Sequence, residues 1–289
     1  MRTWPALEVG RLTQITPDGP ELLQTALVDY QVSAIAESTP DTWRVFFDST
    51  PERDRAAAAL VHQFQGLSIE PVDVPDEDWV ARSQAELRAV RVGNIIVAPP
   101  WDVPQPGTLE LDPTFGHPPN GEQIIIVIRP SMGFGTAHHA TTRLCLGALQ
   151  RLDVRGRVVV DVGTGSGVLA IAASRLGAAS VAGVEDDPDA LEAAADNLTL
   201  NRDARVTLHE GDVRSIGLNG FDLVMANLTG ALLEAAAPPL CSLGKAGGYL
   251  VLSGLLEEEE ATVLSAYTGC VVHNRTQEGE WLCVSLQRP

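Results

Sequence analysis

The chain is short of basic residues, aromatics and cysteine, and it has no long apolar run. Lys and Arg number 20 against 38 Asp and Glu, a formal net charge of −18. Nucleic acid is held mainly through Lys and Arg on phosphates, so direct nucleic-acid binding is not expected. A basic protein partner would be attracted and steered by the same charge, although solubility alone also accounts for it. The four cysteines, Cys145, Cys241, Cys270 and Cys283, stand far apart in sequence. None has C-x-x-C or Cys/His spacing, so no metal site is expected and reduced, buried thiols are. No segment approaches the roughly 20 apolar residues of a membrane span. The N-terminus lacks the basic-then-apolar pattern of a secretory signal, so a cytoplasmic protein is expected.

What is present is concentrated in Val158 to Gly167, VVVDVGTGSG. A β-branched run reaches Asp161 and turns through Gly163, Gly165 and Gly167, and a helical pattern follows from Val168 to Leu176. Strand, glycine turn and helix bring backbone close to a nucleotide-like ligand. Glycine supplies φ > 0 and removes the Cβ that would block approach, and the helix start offers free N–H groups. The next strand pattern, Ser180 to Val184, ends at Glu185, roughly 20 residues after the glycines, where a carboxylate can accept from ribose hydroxyls. Two cofactor classes fit. Gly165 to Ala170 also reads as the G-x-G-x-x-A dinucleotide variant, which would make the chain a nicotinamide-dependent oxidoreductase. Asp161 argues against a pyrophosphate and suits the cationic amino-acid end of S-adenosylmethionine. Packing alone is a third reading of the glycines.

Along the chain, strand and helix patterns alternate in two styles. Residues 1–74 read β-α-β-β-α-β, a ferredoxin-like α+β domain: strands at Ala6–Leu12, Gln31–Glu37, Thr42–Phe47 and Leu67–Val74, helices at Pro20–Tyr30 and Pro51–Gln65. No residue in it looks catalytic, which suggests substrate recognition. Residues 75–95 are expected as a linker helix, with a strand at Val92–Val97 and Pro99–Asn120 a loop. Residues 96–289 alternate strand and helix as an α/β domain with a parallel sheet. Helices are expected at 229–241 and 255–267, and the chain should close on a hairpin, Val271–Thr276 with Trp281–Leu286. An antiparallel end to a parallel sheet is not the dinucleotide arrangement.

Several segments together resemble one family. They are Asp78-Trp79, Ile96 to Trp101, Gly133-Phe-Gly-Thr-Ala-His-His-Ala-Thr-Thr142, Asp161 to Gly167, Ala226-Asn-Leu228 and Gly279-Glu-Trp281. The chain resembles class I S-adenosylmethionine-dependent methyltransferases of the PrmA family, which methylate a large-subunit ribosomal protein (protein eleven) on lysine and N-terminal amines. The segment from Phe134 through Thr142 carries most of that specificity. The resemblance implies a seven-stranded Rossmann-like methyltransferase sheet with a terminal antiparallel hairpin, and S-adenosylmethionine as cofactor. It implies cofactor contacts at Thr136, Asp161, Gly163, Gly165, Gly167, Glu185, Asp212 and Asn227. Asn227 is also the candidate catalytic group, orienting a neutral amine or holding the methionine end of the cofactor; a turn or cap role is the alternative. Asp212 would meet the adenine amino group or simply end a strand. His139 could take a proton or hold its loop by hydrogen bonds, the latter favoured. The chain departs from the family at Ala137, usually glycine, Ala140, usually proline, and Glu185, usually aspartate. A lysine methyltransferase of another cytosolic protein, such as an electron-transfer flavoprotein, is the close alternative, because fold does not determine substrate.

Overall fold

The computed structural model describes residues 3–10, 12, 23, 26–27, 30, 32–39, 41–64, 66–75, 87–105, 123–130 and 137–289. The chain divides into two units, Met1–Glu86 and Leu87–Pro289.

In the first unit, strands β1 (Thr3–Gly10), β2 (Val32–Thr39), β3 (Thr42–Phe47) and β4 (Ser68–Pro75) form an antiparallel sheet ordered β2-β3-β1-β4. Alternation along β1 sends Leu7 and Val9 to one face and Ala6 to the other, as the two-residue period of a strand requires. Helix α1 (Thr50–Gln63) has proline in its first turn, where a missing N–H costs nothing, and buries Ala56 and Leu60 against Leu7 and Val9. Leu12 lies beyond the end of β1, in a 3-10 turn rather than in the strand. The expected Pro20–Tyr30 helix falls largely outside the described residues, but Leu23 and Leu27 are buried in the same core.

The second unit begins with β5 (Val90–Val92), β6 (Ile95–Ala98) and β7 (Ile124–Val127), a three-stranded sheet. Residues 76–86 lie outside the described residues, and Leu87–Ala89 are not helical. No helix therefore extends to residue 95. The strand expected at Val92–Val97 is a hairpin instead, because Gly93, at φ +57, and Asn94 make a turn inside it.

After helix α2 (Ala140–Arg151) the chain builds an α/β sheet. Its elements are β8 (Val158–Val162), α3 (Val168–Arg175), β9 (Ser180–Glu185), α4 (Pro188–Leu200), β10 (Thr207–Glu210), β11 (Phe221–Asn227), α5 (Gly230–Ala235), α6 (Ala237–Leu243), β12 (Gly244–Leu256), α7 (Glu260–Ser265), β13 (Val271–Glu278) and β14 (Trp281–Gln287). The seven strands run β10-β9-β8-β11-β12-β14-β13; β14 alone runs against the rest, so the pairings β12–β14 and β14–β13 are antiparallel and the others parallel. Val159 packs into the core on one face of β8, and Val160 and Val162 into the core on the other. That double burial explains a strand that is apolar at every position but one. The helix expected over 229–241 divides at Ala236, because Pro238 and Pro239 lack N–H donors and sit in the first turn of α6. The helix expected over 255–267 is a 3-10 turn, Glu257–Glu259, followed by the short α7.

Candidate active site

The order β10-β9-β8-β11-β12 makes β8 the centre from which the chain winds outward and to which it returns. Such sheets bind ligands beyond the carboxyl ends of their strands where the winding reverses, here between β8 and β11. Register brings the polar residues there. Val162 lies opposite Ala226 and Val184, Glu185 opposite Glu210, and Asn227 opposite Ser253. Asp161, Glu185 and Asn227 therefore stand at or near the ends of neighbouring strands.

Asp161 is 1 % exposed. Its Oδ2 accepts from the Thr164 hydroxyl at 2.7 Å and from the Ala170 N–H at 3.1 Å. Oδ1 is buried with no partner, an uncommon state for a carboxylate oxygen. Burial pushes its pKa up to about 7, with Glu185 adding to the rise and the Thr164 and Ala170 bonds opposing it. A cationic group against Oδ1 would relieve both the missing bond and the cost of the buried charge.

The turn after β8 carries positive φ at Gly163 (+68), Gly165 (+53) and Gly167 (+80). A Cβ on Gly163 would lie 2.6 Å from Leu228 Cδ2, so a side chain there would have to displace that leucine as well as adopt the positive φ. Glu185 holds the turn from the next strand. Its Oε2 accepts from the Gly165 N–H at 2.8 Å, and Oε1 from the N–H groups of Asp186 and Asp187 at 3.1 and 3.4 Å. Oε2 keeps a lone pair for a further donor.

A crevice in this region is lined by Gly163, Glu185, Asp212, Arg214, Leu228 and Leu232, among others. The structure thus brings together Gly163, Glu185 and Asp212 of the expected residues. Asp212 is already engaged: Arg214 Nε lies 2.9 and 2.8 Å from its two oxygens, and Nη2 also bonds Oδ2. Those hydrogen bonds and the Arg214 N–H lower its pKa to about 2. The Asn227 side chain makes no hydrogen bond among the described residues, and the cap position of α5 is Thr229. Neither a cap nor an internal bond claims its amide. Thr136 lies outside the described residues. His139 caps α2: Nδ1 accepts from the Thr141 N–H and lies 2.8 Å from its hydroxyl, and the ring meets Trp281 edge-on.

Sequence reasoning missed Arg214, Leu228 and Gly254. Leu228 lies over Gly163, and its N–H donates to the Ser253 carbonyl. A Cβ on Gly254, at φ +90, would stand 2.2 Å from the Leu228 carbonyl oxygen. Gly254 in a strand pattern was the available signal, since an isolated strand glycine often marks a close backbone approach.

Residues 23–289 match the family described as ribosomal protein L11 methyltransferase (PrmA). A ribosomal protein L11 methyltransferase from Geobacter sulfurreducens is 36 % identical over 94 % of this chain and 90 % of its own length. One from Chloroflexus aurantiacus is 33 % identical over 100 % of this chain and 88 % of its own. The crystal structure of a ribosomal protein L11 methylase from Lactobacillus delbrueckii subsp. bulgaricus, 27 % identical, superposes with a TM-score of 0.62 over 70 % of this chain and 99 % of that one. These matches leave no support for the nicotinamide or flavoprotein alternatives. The chain belongs to the PrmA family of ribosomal protein L11 methyltransferases and is a methyltransferase.

Proposed function

We propose that this chain transfers methyl groups from S-adenosylmethionine to lysine and N-terminal amines of ribosomal protein L11. The observation that carries the cofactor is the buried, unpartnered Oδ1 of Asp161 beside the glycine turn. Its chemistry suits an ammonium group and opposes a phosphate. Glu185 would accept from the ribose hydroxyls while keeping its bond to Gly165, and the crevice around Asp212, Leu228 and Leu232 would take the adenine. Thr136, Gly163, Gly165 and Gly167 complete the proposed cofactor contacts.

Bound S-adenosylmethionine supplies a methyl group on a sulfonium. The chain's own contribution is orientation, which is worth much of the barrier when the reacting atoms are held in line. An amine attacks only when neutral, and a dry site lowers its pKa by disfavouring the charged form. The Asn227 amide oxygen would accept from the amine N–H and hold its lone pair toward the methyl. The strand order β2-β3-β1-β4 of the first unit supports reading residues 1–74 as a ferredoxin-like recognition domain. The seven-stranded sheet supports reading residues 96–289 as a Rossmann-like methyltransferase domain. The net charge of −18 favours a basic protein as substrate.

Calorimetry with S-adenosylmethionine and with NADH tests the cofactor. Micromolar binding of the first and none of the second is expected, and the reverse would remove the reading. Mass spectrometry of ribosomal protein L11 after incubation with enzyme and S-adenosylmethionine tests the substrate.

A further inference from the structure

Arg143 stands one turn into α2 and uses its guanidinium in two directions. Nε lies 3.0 and 3.2 Å from the two carboxylate oxygens of Glu278, and Nη2 also bonds Oε1. Nη1 donates to the carbonyl of Ala137 at 3.1 Å and to that of His138. Glu278 ends β13, immediately before the Gly279-Glu280 turn into β14. The terminal hairpin therefore grips the residues leading into α2, and the His139–Trp281 ring contact adds a second hold from the same hairpin.

Ala137 is fully buried at φ +62. A Cβ in the left-handed region is disfavoured by about tenfold or more. Glycine would take this conformation freely, so an alanine here needs an outside hold. Its carbonyl has one, from Arg143. On the other side, the Ser253 hydroxyl donates to the Leu282 carbonyl of β14 at 2.8 Å and lies 3.4 Å from the Thr141 carbonyl. Ser253 pairs with Asn227 in register, and its carbonyl takes the Leu228 N–H. Ala137, the start of α2 and the Asn227 end of β11 form one connected set.

We propose that Arg143, anchored on Glu278 of the terminal hairpin, is a positioning residue for methyl transfer that holds Ala137 in its left-handed conformation. The proposal rests on the cofactor reading above. It requires a planar fork serving a carboxylate and two carbonyls together, which lysine cannot supply.

Arg143→Ala should weaken S-adenosylmethionine binding about tenfold by calorimetry, the factor lost when Ala137 leaves the left-handed region. Arg143→Lys should behave like Arg143→Ala. Adding Ala137→Gly to Arg143→Ala should return affinity to within about threefold of wild type, because glycine repopulates the turn without the clamp. A residue that only stabilised the fold would not be rescued by glycine at that one position. Unchanged affinity in Arg143→Ala, or no recovery with Ala137→Gly, overturns the proposal. Hydrogen exchange of amides 138–143 in the ligand-free protein reads the clamp independently. Arg143→Ala should speed it, and unchanged exchange overturns the proposal as well. A wild-type chain that does not bind S-adenosylmethionine overturns the cofactor reading instead, leaving the exchange measurement to judge the clamp.

Discussion

In the N-terminal unit the interior is apolar: Leu7, Val9, Val45, Phe47 and Leu60 pack together, and the buried Arg53 reaches out to Asp54 and Asp73, whose side chains are 56 % and 60 % exposed. In the C-terminal unit, Asp161, Thr164, Glu185 and Ser253 are buried toward the carboxyl ends of β8, β9 and β12. Burying polar groups costs free energy unless they are paired, and one oxygen of Asp161 remains unpaired. The first unit spends its interior on folding. The second carries an electrostatic cost at the carboxyl ends of its central strands, where a ligand can offset it.

The largest effect should fall on turnover. Asn227→Ala should lower kcat by about 100-fold while S-adenosylmethionine affinity stays within about threefold, because orientation matters at transfer rather than at binding. Equal losses in both would reduce Asn227 to a cofactor contact. Glu185→Ala comes next. It should weaken cofactor binding by about 1–3 kcal/mol, the scale of lost charge-assisted hydrogen bonds, as read by calorimetry.

A smaller effect follows from Asp161. Its folded pKa is raised to about 7, above the ordinary carboxylate value of about 3.9. The folded state therefore holds this proton more tightly than the unfolded one. The resulting stabilisation is full below about pH 4 and is lost as pH rises through about 7. Ligand-free melting temperature should carry that downward slope, and Asp161→Asn should flatten it. Cofactor binding should release part of a proton near neutral pH, seen as a buffer-dependent heat. A slope unchanged by Asp161→Asn would contradict this assignment. The smallest effect belongs to the first unit. Arg53→Met should shift the melting temperature by only about 2–4 °C, the scale of about 1 kcal/mol in a chain of this size, with cofactor affinity unchanged. A changed affinity would break the contrast between the units.

The parts of this molecule governed by local pattern were legible in the sequence. The β-branched run into Asp161, the glycines at positive φ, and the proline starts of α1 and α4 each follow from residue chemistry alone. Boundaries failed where a pair of residues overrode a pattern, as at Gly93-Asn94 and Pro238-Pro239. Contacts between distant segments were not legible. Leu228 over Gly163 and the Arg143–Glu278 pair depend on how strands and loops meet in space. The cysteines show the same limit. Far apart in sequence, they meet as two neighbouring pairs, Cys145 with Cys283 and Cys241 with Cys270, all four free thiols.

The most direct test of the central claim, that residues 1–74 choose the substrate and the remainder performs the transfer, compares the full chain with one starting at Pro75. S-adenosylmethionine affinity and the initial rate of methylation of intact ribosomal protein L11 are measured for both. The shorter chain should bind the cofactor within about threefold of the full chain and methylate the protein at least about 100-fold more slowly, since a linked recognition module raises effective concentration by about that factor. Methylation by the shorter chain at the full-length rate would contradict the account.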